Sequence, residues 1–390
     1  MKLQEVFDAY TEYILPTYTK TPLVFVKGKG SRLWDIHNKL YLDFFPGWGV
    51  GNLGHCHPKV MQAVRDQVSK LIFIPNNYYQ LPQAALAKEV IRLSFPGKVF
   101  FCNSGAEANE GAIKLARKFG QGRYEVISFE NSFHGRTLAA LAATGQPKYQ
   151  QGFAPLPEGF KMVKFNDLGE VKCALSDITV AVMLELVQGE GGVNVADSSF
   201  VRSLRALCDE KKLLLIFDEV QTGVGRTGTM CAFQQYGVVP DIITLAKALG
   251  GGLPIGMMVV KKEISDTLQP GTHASTFGGG PVICKAALAV LKAVRSEKLL
   301  QNTLKMGGYL KGRLEELRKK HAVIKEVRGM GLMLGVELHQ PGKDIVAACL
   351  AQGLLINCTH DKVLRLMPAL AVTKKEIDKA VGILDGVLPR

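Results

Sequence analysis

Residues 213–256 read LLLIFDEVQTGVGRTGTMCAFQQYGVVPDIITLAKALGGGLPIG and contain two short apolar runs, 213–217 and 242–245. Each run has the length and composition of a strand that is buried on both faces of a parallel sheet. Asp218 ends the first run, and Lys247 follows the second run within two residues. Because ligands of open α/β sheets bind at the carboxyl ends of the strands, we expect this carboxylate and this amine to face one bound molecule.

Asp218 and Lys247 together suit the chemistry of pyridoxal phosphate. A desolvated lysine is a nucleophile that forms a Schiff base with an aldehyde, and a nearby carboxylate can keep a ring nitrogen protonated. A lysine Schiff base and an acidic partner for the pyridinium nitrogen are what this cofactor requires. The alternative is that Asp218 caps a loop and Lys247 is a solvated surface charge, so the other motifs must decide.

Bulk composition limits the class of protein. A chain of 390 residues with 47% hydrophobic and 21% charged residues predicts a globular protein of more than one domain. The formal charge of +13 comes from scattered residues without a basic run, so we expect anionic metabolites rather than nucleic acid. The eight cysteines never form a C-x-x-C pair, which favours reduced thiols over disulfides or zinc. No signal-like or membrane-length apolar segment is present, so we predict a cytoplasmic protein without membrane contact.

A predicted strand at 99–102 leads through Ser104, Gly105 and Ala106 into a helical pattern at 110–119. A strand, a turn of small residues and a helix N-terminus together form a site for phosphate. A plain N-cap by Ser104 is equally compatible with this stretch.

Four further residues are candidates for ligand contacts. Phe133 follows the predicted strand 125–129 and could lie on an aromatic ring, while Arg136 could bind a carboxylate. Glu190 follows the predicted strand 180–186 in a glycine-rich loop. Arg365 is the one charge in an apolar strand, so it requires an ion pair or an anionic substrate, and Glu190 is the candidate partner.

Two other motifs favour structural roles. Residues 223–228, GVGRTG, fit G-x-G-x-x-G but lack the surrounding βαβ pattern of a dinucleotide site. His55 and His57 form an H-x-H pair without the further ligands that a metal site needs.

The motifs jointly resemble the class III aminotransferases of pyridoxal-phosphate fold type I over nearly the whole chain. The matching blocks are NSGAEANE (103–110), FHGRT (133–137), ELVQGEGG (185–192), DEVQTGVGRTG (218–228), TLAKALGGGLPIG (244–256), STFGGG (275–280) and VLRLMPAL (363–370). The resemblance implies an α/β fold, with a large domain built on a mostly parallel seven-stranded sheet at 46–280. The segment 1–45 would pack with a small α/β domain at 281–390.

The resemblance also implies roles for individual residues. Lys247 would hold the cofactor as a Schiff base, and Asp218 would pair with its pyridine nitrogen. The other implied cofactor contacts are Ser104, Gly105 and Ala106 at the phosphate, Phe133 and Val220 on the ring faces, Glu219, Gln221 at the ring oxygen, and Thr276 from the other subunit of a homodimer. The implied substrate contacts are Arg136 with Ser275 beside it, Arg365 for the α-carboxylate of glutamate, and Glu190 to neutralise Arg365. No metal is implied.

Within the class, the chain looks most like the acetylornithine aminotransferases of arginine biosynthesis. The expected substrates are therefore N2-acetyl-L-ornithine, 2-oxoglutarate and glutamate. Another ω-aminotransferase, acting on ornithine, 4-aminobutyrate or succinyldiaminopimelate, remains an alternative. An aminomutase of the same fold would not need the glutamate site, and a dehydrogenase would rest only on the weak glycine run at 223–228.

Overall fold

The computed structural model describes residues 3–389. Its helices, in chain order, are α1 (Leu3–Tyr13), α2 (Pro58–Val68), α3 (Leu81–Leu93), α4 (Gly105–Phe119), α5 (Leu138–Ala142), α6 (Pro147–Gln150), α7 (Leu168–Ala174), α8 (Ser198–Lys211), α9 (Pro281–Ser296), α10 (Leu299–Lys320), α11 (Lys343–Ala351) and α12 (Lys374–Val387). Its strands are β1 (Phe25–Lys29), β2 (Arg32–Asp35), β3 (Leu40–Asp43), β4 (Gly97–Cys102), β5 (Glu125–Phe129), β6 (Phe160–Val163), β7 (Thr179–Leu184), β8 (Val187–Gln188), β9 (Asn194–Val195), β10 (Leu214–Asp218), β11 (Ile242–Leu245), β12 (Gly256–Lys261), β13 (Ile324–Met330), β14 (Met333–Leu338), β15 (Leu354–Leu355), β16 (Asn357–Thr359) and β17 (Val363–Leu366).

A seven-stranded sheet with the order β4-β12-β11-β10-β7-β5-β6 forms the centre of the fold. Strands β6, β5, β7, β10 and β11 are parallel, whereas β12 runs antiparallel to both β11 and β4. All residues of β5, β7, β10 and β11 are buried, as expected for parallel strands with helices on both faces. The predicted mostly parallel seven-stranded sheet is confirmed.

Helix α4 begins earlier than the helical pattern at 110–119 suggested. The Ser104 side chain accepts a hydrogen bond from the backbone N–H of Glu107 at 3.1 Å, and the helix starts at Gly105. Serine at the N-cap and an acidic residue in the first turn both stabilise a helix start. The small residues of this stretch therefore belong to the helix, and they allow it to lie close to the sheet.

Two four-stranded sheets lie outside the central one, in the orders β1-β2-β3-β15 and β13-β14-β17-β16. Strand β15 pairs in parallel with β3, so residues 354–355 lie beside residues 42–43. Helix α9 packs against α2 and α3, and α10 packs against α12 and β13. None of the helices within residues 3–389 combines the length and the apolar character that a membrane span requires.

Glu219, which directly follows β10, is a buried carboxylate with a structural partner set. It accepts hydrogen bonds from the backbone N–H groups of Ala232 and Phe233 at 2.7 and 2.8 Å and from the Thr222 hydroxyl at 3.2 Å. Burial raises the pKa of Glu219 to about 7, although these hydrogen bonds act in the opposite direction. Glu219 therefore fixes the turn at residues 232–235 from inside the protein.

Glu219→Gln should flatten the pH dependence of stability. A carboxyl whose pKa is higher in the folded than in the unfolded state stabilises the fold fully below about pH 4.5, and this contribution is lost as the pH rises towards 7. Urea unfolding measures this effect. Between pH 5 and pH 8, the free energy of unfolding of the wild type should fall by up to about 3 kcal/mol more than that of the variant. The exposed carboxylate variant Glu210→Gln serves as control, and equal pH slopes for wild type and Glu219→Gln would contradict the expectation.

Candidate active site

A cavity of about 510 Å³ opens at the carboxyl ends of the central strands. It brings together ten of the residues that the sequence singled out, namely Ser104, Gly105, Ala106, Phe133, Arg136, Glu190, Asp218, Val220, Gln221 and Lys247. These residues come from segments that are far apart in the sequence, and the sheet topology makes them neighbours.

Strand pairing explains why Asp218 and Lys247 share this cavity. Strands β10 and β11 are parallel, with Asp218 opposite Thr244, and Lys247 follows three residues later. Lys247 has a backbone φ of 44°, in the left-handed region that few residues other than glycine adopt. Backbone strain of this kind is concentrated at functional sites.

The environment of Lys247 favours its neutral, nucleophilic form. Burial lowers the pKa of Lys247, and the positive charge of Arg365 acts in the same direction. The carboxylates of Glu190 and Asp218 partly oppose this shift. A lysine with a lowered pKa is the kind that forms a Schiff base with an aldehyde.

Asp218 is held by three hydrogen bonds. Its Oδ2 accepts from Asn109 Nδ2 and is bonded to His134 Nδ1, both at 2.8 Å, while its Oδ1 accepts from the Val220 N–H at 3.0 Å. Asn109 is fixed in turn because its Oδ1 accepts from the Thr244 hydroxyl at 2.7 Å. Neither Asn109 nor His134 was assigned a role from the sequence, since an amide and an imidazole within a motif do not reveal which carboxylate they contact.

The N-terminus of α4 forms a cradle for an anion. Ser104, Gly105 and Ala106 line the cavity, and the first N–H groups of a helix have no partner within the helix. A Cβ atom at Gly105 would lie 2.7 Å from Val220 Cγ1, so the close approach of α4 to Val220 requires glycine. The cradle therefore suits a phosphate group close to Val220.

Arg365 and Glu190 form a buried ion pair at the edge of the cavity. Arg365 Nη1 donates to Glu190 Oε1 at 2.7 Å and to Gln221 Oε1 at 3.4 Å, and its Nε donates to Asn357 Oδ1 at 3.0 Å. The side chain of Arg365 is fully buried, yet its Nη2 has no hydrogen-bond partner among residues 3–389. Burial alone would raise the pKa of Glu190, but the charge and hydrogen bond of Arg365 outweigh it and lower that pKa. The pairing expected from the sequence is present, and one donor nitrogen of Arg365 has no hydrogen-bond partner among the described residues.

Arg136 lies on a different part of the cavity wall, against two aromatic rings. Its guanidinium carbon is 4.0 Å from the ring centre of Tyr149 and 5.6 Å from that of Phe133. Glu185 accepts the backbone N–H of Phe133 at 2.8 Å. Burial and the neighbouring Asp218 raise the pKa of Glu185 well above its usual value. Neither Tyr149 nor Glu185 was singled out from the sequence.

Four of the predicted contact residues do not line this cavity. Arg365 is one of them, although it contacts the lining residues Glu190 and Gln221, and the other three lie elsewhere. Glu219 points to the backbone of residues 232–233 and does not line this cavity. Ser275 and Thr276 line a separate depression with Asn103, where Ser275 Oγ accepts from Asn103 Nδ2 at 3.2 Å. Thr276 is exposed, so within one chain it does not reach the cavity.

The donor set fits pyridoxal phosphate. Lys247 supplies the amine, Asp218 supplies a carboxylate for the pyridine nitrogen, and the α4 cradle supplies N–H groups for the phosphate. The volume of the cavity also lies within the range of small-molecule sites.

Comparison with known proteins agrees with this geometry. The family model for class-III aminotransferases matches residues 13–388. An acetylornithine aminotransferase of Methanocaldococcus jannaschii is 52% identical, over 99% of this chain and 98% of the relative. One of Aquifex aeolicus is 47% identical, over 96% of this chain and all of the relative.

Solved structures of aminotransferases have the same fold as this chain. An ornithine aminotransferase of Toxoplasma gondii, described with partial occupancy of pyridoxal phosphate at its active site, superposes with a TM-score of 0.95 at 33% identity, covering 99% of this chain and 94% of that one. An acetylornithine aminotransferase of Elizabethkingia anophelis superposes with a TM-score of 0.89 at 31% identity, covering 99% and 98%. With its lysine, carboxylate and phosphate cradle arranged as that chemistry requires, the chain belongs to the class III aminotransferases and is a pyridoxal-phosphate-dependent enzyme.

Proposed function

We propose that the enzyme transfers the δ-amino group of N2-acetyl-L-ornithine to 2-oxoglutarate, giving N-acetyl-L-glutamate 5-semialdehyde and L-glutamate. The observation that carries the proposal is the buried Arg365–Glu190 pair beside the reactive Lys247, with one guanidinium nitrogen unpaired. The names of the curated relatives at 44–52% identity support the choice of donor. We further propose that the reaction serves arginine biosynthesis in the cytoplasm.

The ion pair allows one site to accept two amino donors that differ in charge next to the reacting carbon. Glutamate reacts at a carbon that carries a carboxylate, whereas the δ-carbon of acetylornithine carries none. A fixed, unpaired arginine beside the reacting carbon would favour the first donor and penalise the second. When Glu190 pairs with Arg365, the charge is neutralised for the ω-amine; when Glu190 releases it, Arg365 binds the α-carboxylate of glutamate.

Arg136 would bind the carboxylate that lies far from the reacting amine in either donor. Its guanidinium is exposed on the cavity wall, and the rings of Tyr149 and Phe133 hold its plane. A planar fork in a fixed orientation is suited to a bidentate carboxylate contact. Shared recognition by Arg136 and selective recognition by Arg365 would let one site serve both half-reactions.

Bound pyridoxal phosphate supplies an electron sink for the carbon that loses its proton. In the proposed reaction Lys247 would hold the cofactor, and its Nζ, once free, would take the proton from the amine-bearing carbon of the donor. Asp218, fixed by Asn109 and His134, would keep the ring nitrogen protonated. Phe133 and Val220 would enclose the ring on its two faces, and Gln221 would contact the ring oxygen.

Ornithine is the second candidate donor. The similarity to the Toxoplasma gondii ornithine aminotransferase, with a TM-score of 0.95, is the observation that favours it. The two donors differ at the α-amino group, which is acetylated in one and charged in the other, so a direct titration separates them. An aminomutase would have no use for the Arg365–Glu190 pair.

A homodimer is the proposed assembly, with each subunit lending Thr276 to the phosphate site of the other. Large apolar side chains are exposed around Thr276, among them Tyr79, Leu81 at 89% and Phe277 at 65%. Asn76 ties this segment to the loop of Thr276, because its Nδ2 donates to the carbonyl groups of Ser275 and Gly278. Exposed apolar patches of this kind mark protein interfaces.

We also propose three structural divisions of the chain. Residues 46–280 would hold the central sheet, residues 281–390 would form the small domain, and residues 1–45 would pack with it; residues 1, 2 and 390 lie outside the described part of the chain. The pairing of β3 with β15 supports the last assignment.

The first test is an absorbance spectrum of the purified protein during titration with N-acetylornithine in the absence of 2-oxoglutarate. We expect visible absorbance that the donor bleaches and 2-oxoglutarate restores. Lys247→Ala should abolish turnover and the absorbance band of the lysine Schiff base, since no covalent link to the cofactor can form, but it should leave the far-ultraviolet circular dichroism spectrum of the fold unchanged. Bleaching by ornithine alone would move the substrate to the second candidate, and near-normal turnover by Lys247→Ala would contradict the assignment.

Arg365→Ala should separate the two half-reactions. We expect kcat/KM for glutamate to fall about 100-fold or more, because a buried charge-assisted carboxylate contact is lost, while the acetylornithine half-reaction changes much less. Arg136→Ala is the matched control and should impair both half-reactions. Single-turnover absorbance changes measure each half separately, and equal losses in Arg365→Ala would refute the role given to this residue.

Leu81→Glu should disrupt the proposed dimer, because it places a charge in an apolar interface. Light scattering should give the wild type about twice the chain mass of 42.5 kDa and the variant a smaller mass. The variant should also retain pyridoxal phosphate less tightly, since Thr276 of a partner is then absent. Val239→Glu, at another exposed apolar side chain, is the control; a wild type that is monomeric at micromolar concentration would contradict the proposal.

A further inference from the structure

Arg226 is a buried arginine within the glycine run 223–228, and the mechanism above does not use it. Its side chain is fully buried. Nη1 donates to the carbonyl oxygens of Leu332 and Pro368 at 2.8 and 2.6 Å, and Nη2 donates to Asn52 Oδ1 at 2.5 Å. No carboxylate pairs with it within residues 3–389, and its Nε has no hydrogen-bond partner there.

A charge in this setting is costly for the fold. Removing a guanidinium from water without a counterion destabilises a protein, and apolar residues of similar size often replace buried charges without loss of stability. The cost is visible in the pKa of Arg226, which burial lowers to about 9. A gain in stability therefore does not explain why an arginine occupies this position. The explanation is that its guanidinium binds three acceptors in a fixed geometry.

The acceptors belong to three chain segments that each lead to the active site. Pro368 follows Arg365 by three residues in the chain. Asn52 lies in the loop that carries Val50, a residue of the cavity wall, and Trp48, whose carbonyl accepts from Gln221 at 3.1 Å.

The third acceptor, Leu332, lies in the turn between β13 and β14, and β14 pairs with the strand of Arg365. Arg226 itself follows Gln221 by five residues and Asp218 by eight. One guanidinium thus connects the segments on which both halves of the site are built.

Further hydrogen bonds connect the same segments that Arg226 contacts. The Leu332 N–H donates to the Arg226 carbonyl at 3.1 Å, and the Leu370 N–H donates to the Asn52 carbonyl at 2.7 Å. Asn52 Nδ2 donates to the Val224 carbonyl at 3.1 Å. A Cβ at Gly331 would lie 2.6 Å from the Thr227 carbonyl carbon, so the segments approach too closely to slide past one another.

We propose that Arg226 is a positioning residue that sets the location of Arg365 relative to Asp218 and Gln221, and thereby the fit of the α-carboxylate of glutamate. The proposal rests on the proposed function for the role of Arg365. The glycines around Arg226 then serve this junction, because Gly225 has a φ of +88° and lies against Leu370. Displacement of a binding group by a fraction of an ångström to an ångström is enough to slow a reaction strongly.

The test compares Arg226→Met, which removes the donors, with Arg226→Lys, which keeps the charge but not the planar fork. Asn52→Ala removes one acceptor and keeps the arginine, so the proposal stays testable if the methionine variant does not fold. All three variants should raise KM for glutamate in the half-reaction, by about tenfold for Arg226→Met, and should change the ω-amine half-reaction less than about threefold.

Leu332→Ala is the matched control. It truncates a fully buried side chain at the same junction but keeps the carbonyl that Arg226 contacts, so it should lower the melting temperature without changing the ratio of the half-reactions. If Arg226→Met lowers both half-reactions equally, as Leu332→Ala would, Arg226 is merely structural and the proposal is overturned.

Hydrogen exchange gives a readout that does not depend on the substrate. The N–H groups of Met367 and Leu370 donate to the carbonyls of Phe44 and Asn52, and Arg226→Met should speed their exchange more than Leu332→Ala does. Unchanged exchange at both positions would overturn the proposal. A wild-type enzyme without any glutamate half-reaction would instead refute the proposed function, while the exchange result would still decide whether Arg226 holds these segments.

Discussion

The parallel register of β10 and β11 is the constraint on which the active site depends. It places Asp218 level with Thr244, so that the chain leaving β11 brings Lys247 to the same edge of the sheet as the carboxylate. A slip of one residue would turn every side chain of a strand to the opposite face. Both strands are buried on both faces, so packing on each side of the sheet excludes such a slip.

Because of this geometry, several ionisable side chains are buried close together at the active site. The charges of Glu190, Asp218 and Arg365 act on the pKa of Lys247, and those of Asp218 and Lys247 act on the pKa of Glu185. The fold accommodates them by ion pairing, as between Arg365 and Glu190, by hydrogen bonds, as for Asp218, or by a raised pKa, as for Glu185. Each solution connects a charged group of the site to a particular segment of the chain.

The sequence predicted the fold correctly, and most of the charged residues that it singled out line one cavity, because both leave local signals. Apolar runs revealed the central strands, and Arg365 was recognisable as a single charge in an apolar strand. Glu185 was overlooked since it lay inside the predicted strand 180–186, whereas β7 ends at Leu184 and leaves the carboxyl group at the cavity. Asn109, His134 and Tyr149 act through contacts with distant segments, which a single sequence does not encode in any local pattern. The same holds for Arg226, whose glycine-rich surroundings suggested a nucleotide motif although they form turns in the structure.

The pairing of β3 with β15 joins residues that are more than 300 positions apart in the chain. During synthesis at the ribosome, the strand that completes the sheet of β1, β2 and β3 emerges more than 300 residues after them. Until then β3 presents an open edge, and such edges are where nascent chains associate wrongly. The edge of β3 is therefore exposed to incorrect pairing while more than 300 further residues are synthesised.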